Sequence, residues 1–413
     1  MTQLKETGNR ARYFQAQKVH LPEPPFLVPA VIEALKASRF SSRVTVVPAE
    51  ADSYCAEEAA AYESRTGDMA TIITNDSDLL IQASGAKTRV MLLKGLTRSR
   101  APDPIKVEAN VFFPGQLAAA AGVDGLIPTA FFMNEDYHLS FDAAVAKARK
   151  TDVANNQSFI AFRKGLEKPN YSISGFATPV IETLEQMDPR IAELTHQLMP
   201  GFPKTPNQPA NIFLPPLIED IGKFSAWVAA QDIREAAYRM ILSSTRSARY
   251  IAEWTRRGTT AHPHPCPLSP GWRGKLLELK QILEGVRAYP GLELATAAQR
   301  FNYTAMYYAV KAFADRDQVL SRAKILRVLV KGTRHSREEL HALAMCQAAI
   351  YSLRILRQLL ALEKAMNGLE EELAALEGLL GEAPSLAELF EKCAVDSEGF
   401  WRELAGGLRD TVV

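Results

Sequence analysis

VTVVPAEADSYCAEEAAAYESRTGDMATIITNDSDLL, residues 44–80, is the stretch that decides the fold. Its β-branched run Val44–Val47 predicts a buried strand, and the alanine-rich stretch from Asp52 to about Ser64 predicts a helix. Two further short apolar runs, Ala70–Thr74 and Val90–Leu93, predict two more strands. A strand–helix–strand order with a crossover of about twenty residues predicts a parallel βαβ unit, and therefore an α/β fold.

Four acidic residues follow the first two predicted strands. Glu50 and Asp52 come after the first, and Asp76 and Asp78 come after the second. The carboxyl ends of parallel strands meet at one edge of a sheet, so we expect these four carboxylates to converge there. Like charges in a small volume need compensation, and Mg²⁺ or Mn²⁺ prefers such oxygen ligands. Two such ions about 4 Å apart can support phosphodiester hydrolysis, which makes the four acids catalytic and metal-binding candidates.

The same acids have a structural interpretation that stays open. Asp52 and Asp76 occupy positions where an aspartate can cap a helix N-terminus. Acidic side chains in a first helical turn also interact favourably with the helix dipole. The occurrence of two acidic pairs, joined by one helix, favours a site over two unrelated caps.

The remaining chain divides by composition. Residues 1–20 are polar and patternless, residues 21–150 form the α/β domain, residues 151–215 form an irregular linker, and residues 216–413 form a mainly α-helical domain without evident strands. The stretches with helical periodicity or composition are Val28–Ser38, Pro114–Ala121, Phe141–Lys150, Glu219–Arg257, Gly274–Ala288, Leu292–Leu329, Arg337–Met366 and Leu369–Leu380. The last two stretches predict a helical hairpin that turns at Asn367–Gly368.

The bulk composition excludes some classes of protein. The 413 residues are 47% hydrophobic and 23% charged, which is typical of a globular protein large enough for two or three domains. The formal net charge is +1, so any basic surface must be local. No apolar run approaches the roughly 20 residues that span a bilayer, and the N-terminus does not resemble a signal peptide. We therefore expect no membrane partner, and residence in the cytosol or nucleus.

Two basic groups are candidates for contact with a nucleic-acid backbone. The first surrounds the predicted acidic edge and consists of Lys94, Arg98, Arg100 and Lys106. The second lies among aromatic residues and includes Arg256 and Arg257, an arrangement that can hold single strands by charge and stacking. A solvated loop is the favoured alternative for the first group, and a helix packed into the core is the favoured alternative for the second.

The acidic segments also carry a family resemblance. PAEADSYCA (residues 48–56) and TNDSDLL (residues 74–80) resemble the internal domain of the flap endonuclease and XPG nuclease superfamily. Residues 24–52, together with SAWVAAQDIREAAYRMI (residues 225–241) and RYIAEWTRRGTTA (residues 249–261), are similar to the Asteroid branch, the fungal XPG-domain-containing proteins. The resemblance covers roughly Leu21 to Ala261.

The resemblance implies a PIN-like α/β nuclease fold, with cleavage of single-stranded or branched DNA or RNA. It implies that Mg²⁺ or Mn²⁺ is bound by Glu50, Asp52, Asp76 and Asp78, and that Asp136 in the sequence EDY corresponds to a further metal-binding acid. It also implies a nuclear role in DNA repair or nucleic-acid processing.

The sequence departs from the superfamily in three places, of which the mildest is Asp52, where many members have glutamate. It contains neither the Met-Gly start and first strand, with its two further acids, nor the glycine-rich helix–turn–helix that grips duplex DNA. We therefore expect the chain alone to be poorly active or inactive. A second hypothesis is a catalytically inactive scaffold that binds DNA, RNA or protein, with the C-terminal helices as the surface for a protein partner.

Overall fold

The computed structural model describes two separate units of the chain. The described residues are 26–82, 85, 87–98, 107–203, 208–245, 250–257, 260–266, 271–290, 292, 295–320 and 336–386. The smaller unit spans Ala49–Asn170, and the larger unit combines the segment that ends at Pro48 with the residues from Tyr171 onward. No helix within the described ranges is long and apolar enough to cross a membrane.

The smaller unit contains the predicted strand before the second acidic pair and the predicted strand after it. Its strands are β1 (Thr71–Thr74), β2 (Arg89–Leu92), β3 (Thr97–Arg98), β4 (Val107–Glu108) and β5 (Val111–Phe112). Its helices are α2 (Ala51–Thr66), α3 (Leu79–Gln82), α4 (Pro114–Ala120), α5 (Ile127–Glu135), α6 (Phe141–Lys150) and α7 (Gln157–Lys164). The mixed α/β class expected from the sequence is confirmed.

The sheet of the smaller unit has the order β1-β2-β5. β1 and β2 run parallel with Ile72 opposite Val90, as the sequence predicts, and β5 is antiparallel to β2. Ile72 and Val90 are buried in one cluster with Ala56 and Ala59, which belong to α2. The short alanine side chains let α2 pack on the sheet and bring its N-terminus into a fixed relation to β1.

The prediction of a strand at Val44–Val47 is wrong. These residues follow a 3-10 turn at Ser41–Arg43, and Val44 has extended dihedral angles. No strand in the described part of the chain pairs with them, and they belong to the larger unit. A β-branched run specifies an extended backbone, but pairing also needs a neighbouring strand, which local sequence does not reveal.

The smaller unit has a second hydrophobic cluster, which is rich in aromatic side chains. Phe131 of α5 contacts Phe132, Phe159 and Phe162 at ring-centroid distances of 5.4, 5.4 and 5.5 Å. The edge-to-face arrangement of Phe131 with Phe159 and Phe162 is favourable for aromatic rings. This core fixes α5, α6 and α7 to one another.

The larger unit is mainly helical but contains a three-stranded sheet. Its helices are α1 (Leu27–Lys36), α8 (Thr178–Gln186), α9 (Pro189–Leu198), α10 (Gln231–Ser244), α11 (Trp272–Ala288), α12 (Ala297–Ala314), α13 (Arg337–Asn367) and α14 (Glu371–Gly381). Its strands are β6 (Ala210–Phe213), β7 (Ile251–Arg257) and β8 (Thr260–Pro265). Gly368 separates α13 from α14 with a φ of 78°, which confirms the predicted turn.

The expectation of a C-terminal half without evident strands is wrong. β7 pairs in parallel with β6 and antiparallel with β8, although residues 251–257 were assigned to a predicted helix. Pro263 and Pro265 lie in β8, which is an edge strand of this sheet, where a missing N–H is tolerated. Among the described residues between 151 and 215, the structure has the elements α7, α8, α9 and β6.

A buried ion pair joins the sheet of the larger unit to its central helices. Arg234 of α10 donates to both carboxylate oxygens of Glu253 in β7, at 2.6 and 2.9 Å. It also donates to the Ser352 hydroxyl of α13 at 2.8 Å and to the Trp227 carbonyl at 2.7 Å. Burial alone would lower the pKa of Arg234, but the Glu253 carboxylate outweighs it and the pKa is raised.

We predict that Glu253→Gln destabilises the protein by about 3–5 kcal/mol, because it leaves the Arg234 guanidinium buried without a counter-charge. Urea denaturation at neutral pH measures the change. Glu372→Gln is the matched control, since Glu372 accepts from Lys280 at 2.6 Å but has a side chain that is 61% exposed. Equal effects of the two variants would contradict the importance of the buried pair.

Candidate metal centre

The first acidic pair lies at the start of α2. Glu50 is the N-cap residue of α2, but its side chain makes no capping hydrogen bond. Asp52 lies in the first helical turn and is half-buried, while Glu50 is exposed. Asp52 is therefore not the N-cap that the structural interpretation supposes, but it occupies a first-turn position favoured by the helix dipole.

The second acidic pair lies at the carboxyl end of β1. The Asp76 backbone N–H donates to the Thr74 hydroxyl at 2.9 Å, and the Asp78 backbone N–H donates to Asp76 Oδ1 at 2.9 Å. These bonds turn the chain sharply between β1 and α3. The capping interpretation holds in part for Asp76, whose second carboxylate oxygen is not used in this turn.

The two pairs interact electrostatically. The pKa of Asp52 is raised from 3.8 to about 6, first by burial and then by the charges of Asp76, Glu50 and Asp78. Only groups close in space can shift a pKa in this way, so the four acids predicted from the sequence share one region. All the influences on Asp52 oppose its ionisation, and a bound cation is the kind of group that would reverse them.

The acids are near one another without forming a closed ligand cage. Across the described ranges, no three side chains of His, Cys, Asp or Glu are positioned to hold one metal ion. Asp136 lies just after α5, is exposed, and accepts from the His138 backbone N–H at 3.0 Å. It is not among the groups that shift the pKa of Asp52. Its role as a further ligand stays a prediction.

The first basic group is only partly described. Lys94 is exposed in a 3-10 turn directly after β2, the strand next to β1. Its backbone therefore follows the same end of the sheet as Asp76. Arg98 lies in β3, but its side chain is outside the described part, and Arg100 and Lys106 are wholly outside it.

The prediction that Arg256 contacts nucleic acid is wrong. Its side chain is 3% exposed and its Nε donates to Glu219 at 2.7 Å. Its terminal nitrogens donate to the backbone carbonyls of Asp220, Ile221, Lys223 and Phe224. Arg256 holds this loop of the larger unit, and its buried guanidinium is not accessible to a nucleic-acid backbone. The Arg257 side chain lies outside the described residues.

Cys55 is a neighbour of the acidic region that the sequence did not single out. It lies one helical turn after Asp52 in α2 and is exposed. Burial and the charge of Asp52 raise the pKa of its thiol, which shows that the thiol is on the Asp52 side of the helix. The three-residue spacing of Asp52 and Cys55 was the available signal.

The comparisons with known proteins give one match. The family model described as "XPG domain containing" matches residues 23–268. No curated protein and no solved structure matches the chain.

We predict that Asp52→Asn stabilises the protein by ~1–2 kcal/mol at pH 7.5, after allowance for solvent screening. The raised pKa means that ionised Asp52 destabilises the folded state above about pH 6, whereas below its ordinary pKa of 3.8 the group is protonated in both states. The gain should therefore vanish as the pH falls to about 4. Urea denaturation of both proteins between pH 4 and 7.5 measures the difference, and a pH-independent gain would argue against the shared acidic region.

Proposed function

The chain belongs to the XPG-domain-containing family, and from this premise we propose that it is a divalent-cation-dependent nuclease of single-stranded or branched DNA or RNA. The family has a nuclease-like fold, and we propose a PIN-like α/β domain of the Asteroid branch for the smaller unit. The observation that carries the proposal is the pKa of Asp52, raised to about 6 by burial and by three other carboxylates. A nuclear setting is part of the same proposal.

The proposed metal ligands are Glu50, Asp52, Asp76 and Asp78. All of them offer carboxylate oxygens, which suit Mg²⁺ or Mn²⁺ rather than a soft metal. When bound, such an ion supplies an activated water and stabilises charge on the phosphate. The carboxylates would orient the ion, and Asp52 would exchange its proton for it. The exposed Lys94, next to the same end of the sheet, would attract the phosphate backbone.

A second candidate function is nucleic-acid or protein binding without cleavage. It is favoured by the observation that, in the part of the chain described, no three acidic, histidine or cysteine side chains are gathered to metal-binding positions. It is also favoured by Asp136, which is exposed and is not among the groups that raise the pKa of Asp52. The two candidates differ in whether bound nucleic acid is cut.

We predict slow Mn²⁺-dependent cleavage of labelled single-stranded or flapped oligonucleotides by the purified chain. Asp76→Asn should lower the rate about a hundredfold or more, which corresponds to ~3 kcal/mol of transition-state stabilisation. Asparagine keeps the oxygen that accepts from the Asp78 backbone, so the turn is preserved. Gel analysis of the products with and without Mn²⁺ measures the rate.

Asp152→Asn is the matched control for this experiment. Asp152 belongs to the same unit, is exposed, and accepts from the Ala154 backbone N–H at 2.9 Å in the same type of turn. It is not among the groups that shift the pKa of Asp52. Nucleic-acid binding without any cleavage would favour the second candidate, and cleavage that survives Asp76→Asn would reject this site.

We predict that 10 mM Mn²⁺ raises the melting temperature by about 2–4 °C at pH 7.5, as expected for an ion bound with a millimolar dissociation constant. The rise should be smaller at pH 5, because protons compete for Asp52, whose pKa is about 6. Asp76→Asn should abolish the rise, whereas Asp152→Asn should retain it. An equal rise in all three proteins would indicate binding elsewhere.

A further inference from the structure

The larger unit contains a cleft of about 570 Å³ where the ends of four helices meet. The helices α10 and α13 end at this cleft, and α11 and α14 begin there. Two C-terminal and two N-terminal helix ends have opposite dipoles, which offset one another. The charge of the cleft is therefore set by its side chains, and its volume lies within the range of small-molecule sites.

One carboxylate in the wall of this cleft is incompletely paired. Glu363 of α13 accepts through Oε1 from Asn367 Nδ2 at 3.2 Å. Its Oε2 is buried and has no hydrogen-bond donor among the described residues. A buried carboxylate oxygen without a donor is costly, and charged donors form the strongest bonds to it. The terminal torsion of a glutamate is broad, so a small rotation turns this oxygen towards the cleft.

Another part of the same lining already holds a guanidinium group. Arg273 Cζ lies 5.1 Å from the centre of the Trp272 ring, and Arg273 Nη1 donates to Glu370 at 2.6 Å. Contact with an aromatic face and a charge-assisted hydrogen bond are the interactions that favour a planar guanidinium over other cations. The Arg273 and Glu370 side chains are 59% and 62% exposed, so a second cation can compete for these partners.

The composition of the lining specifies the rest of a ligand. Two carboxylates, Glu363 and Glu370, face one guanidinium, which leaves an excess of one negative charge. Met240 and Leu373, which also line the cleft, are buried apolar residues that can contact an alkyl chain. The cleft therefore combines an unmatched negative charge with an apolar surface.

We propose that this cleft binds an alkylguanidinium group, with the cationic head on Glu363 and the alkyl chain against the apolar lining. The guanidinium supplies both the donor and the counter-charge that Glu363 lacks in the described chain. The same chemistry occurs in a free alkylguanidine and in the arginine side chain of a peptide. The inference concerns the larger unit alone and does not rest on the proposed nuclease activity.

Calorimetric titration of the full chain at pH 7.5 with butylguanidine tests the proposal. A ligand of this size should bind with a dissociation constant on the order of 1 mM. Butylurea has the same shape without the charge and should bind at least about tenfold more weakly. A short peptide with one arginine and blocked ends distinguishes the two sources of the group. Tighter binding than butylguanidine identifies an arginine side chain, and weaker binding identifies a free cation.

Two pairs of variants locate the bound cation. Glu363→Gln should weaken binding about tenfold or more, although glutamine can still accept from Asn367. Glu377→Gln is its control, because Glu377 pairs with Lys364 at 3.1 Å outside the cleft, and this variant should bind as the wild type does. Arg273→Ala should tighten binding severalfold, because it releases Trp272 and Glu370 for the ligand.

Arg287→Ala is the control for the last variant. Arg287 belongs to the same helix, is also 59% exposed and pairs with Glu382 at 2.9 Å, so its loss should leave binding unchanged. Circular dichroism shows whether each variant is folded, and the arginine pair decides if Glu363→Gln is not. The proposal is overturned if butylguanidine does not bind at about 10 mM, if butylurea binds equally well, or if folded Glu363→Gln binds as the wild type does. Equal effects of Arg273→Ala and Arg287→Ala would also overturn it.

Discussion

The larger unit depends on the complete pairing of one buried charge. The Arg234 guanidinium directs its donors to both oxygens of Glu253, to the Ser352 hydroxyl, and to the carbonyls of Trp227 and Ala229. These contacts involve three parts of the unit: the strand β7, the helix α13 and the turn before α10. Because a buried charge is tolerated only when all its partners are in place, this residue fixes the relative positions of those elements.

In the acidic region of the smaller unit, the neighbouring charges oppose the ionisation of a half-buried group instead of stabilising it. Asp52 is half-buried, and burial together with three neighbouring carboxylates raises its pKa to about 6. In the larger unit the desolvation cost of the fully buried Arg234 is met by a counter-charge, whereas here the charges near Asp52 add to the cost of its burial. A fold gains nothing from such an arrangement, and a strongly perturbed carboxyl beside like charges is typical of a functional site. The contrast within one chain supports a ligand for this region.

Local patterns predicted the elements whose structure is decided locally. Phe141–Lys150 is helical over the predicted range, and β1 and β2 occupy the predicted apolar runs. Prediction failed where a distant partner decides the outcome. Val44–Val47 is extended without a partner strand in the described chain, and residues 251–257 form a strand because β6 and β8 lie beside them. Arg256 looked like a surface cation because sequence spacing does not show which carbonyls will surround it.

The charges of Asp76, Glu50 and Asp78 act on Asp52, although one premise of the sequence argument was wrong. The argument placed Glu50 and Asp52 after a strand, yet the segment before them is not part of the sheet. What brings Asp52 to the end of β1 is α2, whose Ala56 and Ala59 pack in one cluster with Ile72. A helix that packs antiparallel to the following strand starts where that strand ends. The position of the site therefore follows from the contact of α2 with β1, and the small alanines that permit it are as informative as the acids.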